Sequence, residues 1–161
     1  MMKPKRLSRT VVYESPWVNL YVDGVRFPNG RVIERRHFLD FGKPSVVAVV
    51  EDSNQERILL VKICRYPTGS TDWELPAGGV EANESVIEAA QREILEETGY
   101  ESINHEQVYA YHPLPGIANK LAYVIRCEVT TRKADFDEDE VSEVQWFSKA
   151  EVRGKIGRAH V

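Results

Sequence analysis

Twenty-one basic against twenty-five acidic side chains in 161 residues leave a net charge of −4, which argues against a nucleic-acid backbone as the main partner. That length is one ordinary domain, enough to bury a core. No apolar run approaches membrane-spanning length and the basic start MMKPKRLSRT has no hydrophobic stretch behind it, so no membrane partner is expected and the chain reads as cytoplasmic.

In chain order, residues 1–44 read as a strand-rich preface. Val11-Val12-Tyr13 is a short strand, Trp17 to Phe27 alternates loosely, Pro28-Asn29-Gly30 is a turn, and Arg31 to Phe41 is the returning strand. So small an antiparallel sheet is marginal alone and needs a cover. Gly42-Lys43-Pro44 punctuates the chain and sets a boundary to a main domain of residues 45–154. There Val46–Val50 and Ile58–Cys64 are strands flanking a turn at Asp52-Ser53-Asn54, followed by a Thr/Gly/Ser loop and Trp73-Glu74-Leu75-Pro76. Further strands are expected within Glu101–Tyr111, over Leu121–Thr130 and over Val144–Phe147. His112-Pro113-Leu114-Pro115-Gly116 forms a stiff loop, DFDEDE an acidic loop, and Ser148–Val152 a short helix. Cys64 and Cys127 lie in apolar runs and read as core thiols of a reducing compartment. Residues 155–161 resemble the translated end of a sequencing adapter and are expected to be non-native.

Between these strands runs GGVEANESVIEAAQREILEETGY, residues 78–100. Ser85-Val86-Ile87-Glu88 is a capping box and Thr98-Gly99 a left-handed stop. At about 100° per residue, Val86, Ile87, Ala90 and Ile94 form the apolar stripe, with Glu97 on its edge. Glu93, Glu96 and Glu97 fall at i, i+3 and i+4, with Cβ atoms roughly 5–6 Å apart. An exposed acidic helix braced by i, i+4 pairs accounts for Glu84 and Glu88. It does not account for three acids crowded behind Pro76-Ala77-Gly78-Gly79, where missing side chains let an ion or a phosphate approach the backbone. Hard oxygen ligands on one face suit Mg²⁺, with Mn²⁺ as a substitute. Strands on both sides of one long helix make a mixed α/β sandwich.

Gly78, five residues, Glu84, seven residues, then Arg92-Glu93-Ile94-x-Glu96-Glu97-x-Gly99-Tyr100 resembles the Nudix box. Only Tyr100 departs from it, standing where the family has an aliphatic residue. The resemblance implies an α/β (α+β) fold, a Nudix-type α/β/α sandwich with a mixed β-sheet behind a small N-terminal antiparallel β-sheet. It implies diphosphate hydrolysis in which Glu93, Glu96 and Glu97 carry the metal, with the Ala77 carbonyl as a further ligand and Glu93 also catalytic. Arg92 then orients Glu93, and Glu84, about half a turn round the helix, supports the site from behind. In relatives a glutamate on a loop near the C-terminal strand deprotonates the attacking water; Glu140, then Glu138, then Glu143 are the candidates.

Trp73-Glu74-Leu75-Pro76-Ala77-Gly78-Gly79, Val61–Tyr66, Pro115 fifteen residues beyond Tyr100 and the N-terminal preface are similar to ADP-ribose pyrophosphatases. The substrate implied is ADP-ribose or a related nucleoside diphosphate sugar, and the preface implies a homodimer. GDP-mannose, a dinucleotide, an oxidised nucleotide, or a silent nucleotide-sensing role are the alternatives. Arg36 and Arg65 are candidates for phosphate because guanidinium forks pair it bidentately; Trp17, Tyr21 and Phe27 are candidates for stacking on the base. Relatives carry an acid after the Pro115-Gly116 position where Ile117-Ala118-Asn119-Lys120 has none, and Lys120 is a candidate phosphate contact in its place.

Overall fold

The computed structural model describes residues 2–52, 54 and 56–155; Ser53 of the expected turn and residues 156–161 of the expected tail lie outside the described residues. The chain forms two compact units. One contains the residues up to Pro44 together with Tyr111–Leu121; the other contains Ser45–Ala110 and the residues from Ala122 onward.

The first unit is an antiparallel meander of β1 (Lys5–Tyr13), β2 (Asn19–Arg26) and β3 (Val32–Asp40). The Phe27–Arg31 turn closes with Phe27 N–H donating to the Arg31 carbonyl at 2.8 Å, and Gly30 takes φ 85°, a conformation that favours glycine. β1 begins six residues before the expected strand at Val11. Every one of its residues is exposed, so burial imposes no alternation on KRLSRT, and pairing with β2 makes it a strand. The stiff 112–116 loop and the residues after it are stitched to β3. Leu39 N–H donates to the Ile117 carbonyl at 2.8 Å, and Asn119 Oδ1 accepts from Phe41 N–H at 2.7 Å.

The meander pairs one buried carboxylate with a partly exposed arginine. Asp23, 7 % exposed, accepts from Arg9 Nε at 2.8 Å and Nη2 at 2.7 Å. The same guanidinium lies 4.0 Å from the Tyr21 ring centroid. The Arg9 hydrogen bonds hold the Asp23 carboxyl below the usual carboxylate range, against a smaller opposing effect of burial.

The second unit carries β4 (Ser45–Asp52), β5 (Arg57–Arg65), β6 (Ser70–Glu74), β7 (Ala77–Gly79), α1 (Val86–Thr98), β8 (Tyr100–Tyr111), β9 (Ala122–Arg132), β10 (Val141–Ser148) and α2 (Lys149–Lys155). The mixed sheet runs β10-β5-β4-β9-β8, with β4 and β9 parallel, β6 added to β5 and β7 added to β4. β4 and β5 pair only over Glu51–Ile58 and Asp52–Arg57. From there the strands are bridged by one segment: Glu74 still pairs with Val61 on β5, and Ala77 pairs with Val47 on β4. Crossing that gap places Pro76, Ala77 and Gly78 at the inner edge of the sheet, and Ala48 N–H donates to the Pro76 carbonyl at 2.8 Å. β6 occupies part of what read as a Thr/Gly/Ser loop; its side chains are exposed or half-buried, leaving little apolar signal.

α1 starts at the expected capping box. Ser85 Oγ accepts from Glu88 N–H at 3.2 Å, and Glu88 Oε2 accepts from Ser85 N–H at 2.7 Å. It stops at Gly99, φ 74°, whose N–H donates to the Leu95 carbonyl at 2.9 Å. The buried face is wider than the expected stripe. Ala89, Ala90, Glu93, Ile94, Glu97 and Thr98 are buried, and Val86 and Ile87 only half-buried. Ala89 and Ala90 meet Val46, Val80 and Ile125; Ile94 meets Ala48, Val50, Leu59 and Cys127. Burying a side chain the size of Ile94 stabilises by about 1.5–3 kcal/mol. Cys127 is in this core, its thiol pushed up to about 12 by burial. Cys64, expected there too, is exposed, because β5 runs past the core after Ile63. Among the described residues no helix is long and apolar enough to cross a membrane.

Candidate active site

The acids of α1 differ sharply in exposure. Glu97 is 3 % exposed and Glu93 9 %, while the Glu96 side chain is 53 % exposed. Glu97 and Glu93 sit where α1 lies against the Pro76–Gly79 crossing. Glu97 Oε2 accepts from Ala77 N–H at 3.0 Å. A Cβ on Gly78 would collide with the Glu93 carboxylate where it stands, so the bare glycine backbone lets that carboxylate lie against it.

Burial pushes the Glu97 carboxyl up to about 8. The Ala77 N–H opposes this, the charges of Glu93 and Glu140 add to it, and Arg65 lowers it. Burial also raises Glu93, against Arg92 and with help from Glu96 and Glu140. Two carboxylates are therefore held out of water with their negative charge incompletely compensated.

Arg92 is the cation already in place. Nη1 donates to Glu93 Oε1 at 2.8 Å and Glu96 Oε2 at 3.0 Å. Nη2 donates to Glu84 Oε1 and to the Gly79 carbonyl, both at 2.9 Å, and Nε reaches Glu84 Oε2 at 3.3 Å. The guanidinium thus ties the start of the helix and the glycine loop to the acids, and its own pKa is raised well above the ordinary value, first by Glu84. Glu88 closes the N-cap instead of pairing with Arg92 as the i, i+4 spacing suggested. Among the described residues no three His, Cys, Asp or Glu side chains converge as they stand to hold an ion. The donor set nonetheless fits a hard divalent cation: buried carboxylate oxygens with raised pKa values gain by meeting positive charge.

The acidic loop is tied to the far end of the same helix. Asp137 N–H donates to the Glu96 carbonyl at 2.9 Å, and Lys133 N–H to the Gly99 carbonyl at 2.8 Å. These carbonyls belong to the last turn and the cap, where intrahelical partners run out. A turn then closes from Asp137 to Val141 (Val141 N–H to Asp137 carbonyl, 2.9 Å), and Phe136 packs with Val61, Ile63 and Val141. Glu140 lies in this turn, and its charge acts on both Glu93 and Glu97. Glu138 is an exposed residue of the same turn. Glu143 lies on β10, half-exposed, paired with Lys62 at 3.3 Å.

Arg65, at the end of β5, pairs with Glu74 at 2.8 Å. Arg36, Trp17, Tyr21, Phe27 and Lys120 all belong to the first unit. Trp17 is 85 % exposed and Tyr21 is buried beneath Arg9. Arg36 donates to the Gly116 carbonyl at 2.8 Å, and it lines a cavity of about 330 Å³ with Phe27, Arg6, Phe38 and Pro115. Lys120 donates to the Lys43 carbonyl at 3.2 Å. Sequence reasoning missed Glu74 as a side chain with a partner and the Gly79 carbonyl as a support of Arg92. The one available signal for Glu74 was a carboxylate on a predicted loop close after an arginine-ended strand.

The NUDIX domain family model matches residues 42–161. The chain belongs to the Nudix family. It is a Nudix hydrolase, and the model of the nucleoside diphosphate sugar hydrolase N-terminal domain matches residues 4–39. The ADP-ribose pyrophosphatase of Bacillus subtilis (strain 168) is 32 % identical over 146 residues, covering 89 % of this chain and 77 % of that protein. The methanol dehydrogenase activator of Bacillus methanolicus is also 32 % identical over 146 residues, covering 87 % and 76 %. The crystal structure of an ADP compounds hydrolase shares the Nudix fold with a TM-score of 0.78 at 20 % identity, covering 95 % of this chain and 82 % of that one.

Proposed function

We propose that this Nudix hydrolase splits the diphosphate of ADP-ribose or a close nucleoside diphosphate sugar into a nucleoside monophosphate and a sugar phosphate. The observation that carries this reading is the buried, under-compensated pair Glu93 and Glu97 against the Ala77–Gly78 backbone. The match of residues 4–39 to the nucleoside diphosphate sugar hydrolase N-terminal domain supports the substrate class.

Glu93, Glu96, Glu97 and the Ala77 carbonyl would hold Mg²⁺, or Mn²⁺ in its place. Such an ion would supply the charge that lets a diphosphate approach carboxylates and would make the attacking water more acidic. Arg92 keeps the Glu93 and Glu96 carboxylates aimed, with Glu84 as its anchor. Glu140 takes the proton of the attacking water, with Glu138 next in line; its position in the turn tied to α1 and its electrostatic reach to Glu93 and Glu97 favour it. Arg65 pairs a phosphate, and the first unit offers Arg36 for phosphate and Trp17 for the base. Residues 1–44 act as a dimerisation segment and 45–154 as the hydrolase domain, working in the cytoplasm as a homodimer.

Product release from a panel of nucleoside diphosphate sugars, with and without EDTA, tests the reaction. ADP-ribose or a close analogue should be turned over, and EDTA should abolish it. EDTA-insensitive turnover, or turnover confined to nucleoside triphosphates, refutes the proposal. Within it, Glu140→Gln should lower kcat with KM nearly unchanged, as for a base acting in the transition state. Loss confined to Glu138→Gln would move the base by two residues.

A further inference from the structure

Arg65 and Glu74 share one face of the β5–β6 hairpin. In its register Arg65 faces Ser70, Ile63 faces Asp72, and Val61 faces Glu74. Side chains on a strand alternate, so residues 61, 63 and 65 point the same way. The Arg65 and Glu74 side chains reach toward each other along this face. It does so with one edge of its guanidinium: Nε donates to Oε1 at 3.2 Å and Oε2 at 3.3 Å, and Nη2 to Oε2 at 2.8 Å. Among the described residues Nη1 has no hydrogen bond to protein, so the outer fork of the guanidinium remains available.

The same face leads to the acids. Val61 and Ile63 pack with Phe136 and Val141, which bracket the turn that carries Glu140. We propose that Glu74 is a positioning residue, gripping the inner edge of the Arg65 guanidinium so that its outer fork meets a phosphate oxygen of the substrate. The proposal rests on the reading of Arg65 as a phosphate contact. The charges of Glu97 and Glu140 both act on Arg65, consistent with a guanidinium at the rim of the acid site.

Stability is a poor reason for this pair. Both side chains are substantially exposed, 44 % and 31 %, and exposed ion pairs add little to stability. Preorganisation is a better one. A free arginine loses rotamer freedom when it binds, about 0.5–1.5 kcal/mol for such a side chain, and a guanidinium already held avoids most of that loss.

The test is a double-mutant cycle on the full chain with Mg²⁺ and a nucleoside diphosphate sugar: Glu74→Gln, Arg65→Ala and both together, with KM, kcat and thermal midpoint for each. Glu74→Gln should raise KM by up to about tenfold, the binding equivalent of that rotamer cost, with kcat within about twofold and the midpoint almost unmoved. Arg65→Ala should raise KM at least as far, and adding Glu74→Gln to it should change nothing more. A raised KM in Arg65→Ala with an unchanged KM in Glu74→Gln overturns the positioning role alone, as do fully additive effects. An unchanged KM in Arg65→Ala overturns the phosphate-contact reading and this inference with it. A lowered thermal midpoint in Glu74→Gln with KM unaltered would make the pair a hairpin brace and overturn the proposal.

Discussion

Asp23 in the N-terminal meander and Glu97 on α1 are both buried carboxylates, 7 % and 3 % exposed, with opposite electrostatics. Asp23 has a whole guanidinium to itself, two hydrogen bonds from Arg9, and its pKa falls. Glu97 has one backbone N–H, two like charges in reach and a more distant arginine, and its pKa rises to about 8. Burial opposes ionisation in both; what differs is whether the fold supplies the counter-charge. Asp23 is complete as a structural pair. Among the described residues Glu97 has no counter-charge beside it in the fold, which makes it a candidate ligand.

Removing the carboxylates should separate the two regions most widely. Glu93→Gln and Glu97→Gln should each lower kcat by about two or more orders of magnitude while the circular dichroism spectrum and thermal midpoint are retained. Parental turnover by Glu97→Gln with Mg²⁺ would erase the distinction. Next in size, Arg9→Ala leaves Asp23 buried and unpaired. The loss should be about 2–3 kcal/mol in urea denaturation, below the full range for a buried pair because Arg9 is partly exposed. A loss within a few tenths would mean that the pair is not structural.

The pH dependence should run in opposite senses. Asp23 has a lowered native pKa, so its contribution is present above its unfolded pKa, about 3.9, and is lost as pH falls through the native value. Glu97 has a raised native pKa. In EDTA its contribution is present below the unfolded value, about 4.3, and is lost as pH rises toward about 8. The metal-free thermal midpoint should therefore fall between pH 5 and 8, and Glu97→Gln should flatten that slope. An unflattened slope would place the titrating group elsewhere. Smallest of all, Glu88→Gln should leave kcat and the thermal midpoint nearly unchanged, since a glutamine can still accept from Ser85 N–H and the residue faces solvent. A tenfold fall in kcat would extend the functional surface of α1 beyond Glu93, Glu96 and Glu97.

Much of the fold was readable without coordinates. The limits of α1 are local facts, a hydroxyl and a carboxylate three residues apart at one end and a glycine at the other, and both stand where the spacing put them. The central strands β4, β5 and β9 were legible because burial imposes apolar runs on them. β1 and β6 were only partly legible or hidden because exposed strands carry no such pattern. Cys64 misled for a related reason: it continues an apolar run in sequence after the strand has left the core. The attachment of Tyr111–Leu121 to the N-terminal meander rests on hydrogen bonds between distant residues, several of them backbone to backbone, and neither those backbone groups nor the long-range partners of Asn119 and Arg36 are marked in the sequence.

What the sequence by itself determined is the acidic face: Glu93, Glu96 and Glu97 on one side of a capped helix behind a glycine loop, because 3.6 residues per turn leaves no other arrangement. What only the tertiary structure decided is the state of those acids. The segment that crosses from β5 to β4 covers Glu93 and Glu97 and leaves Glu96 in water. Gly78 sits against Glu93, Arg92 reaches the Gly79 carbonyl, and Arg65 turns back to Glu74. Desolvation and charge coupling depend on which element covers which face, and spacing along one helix does not contain that information.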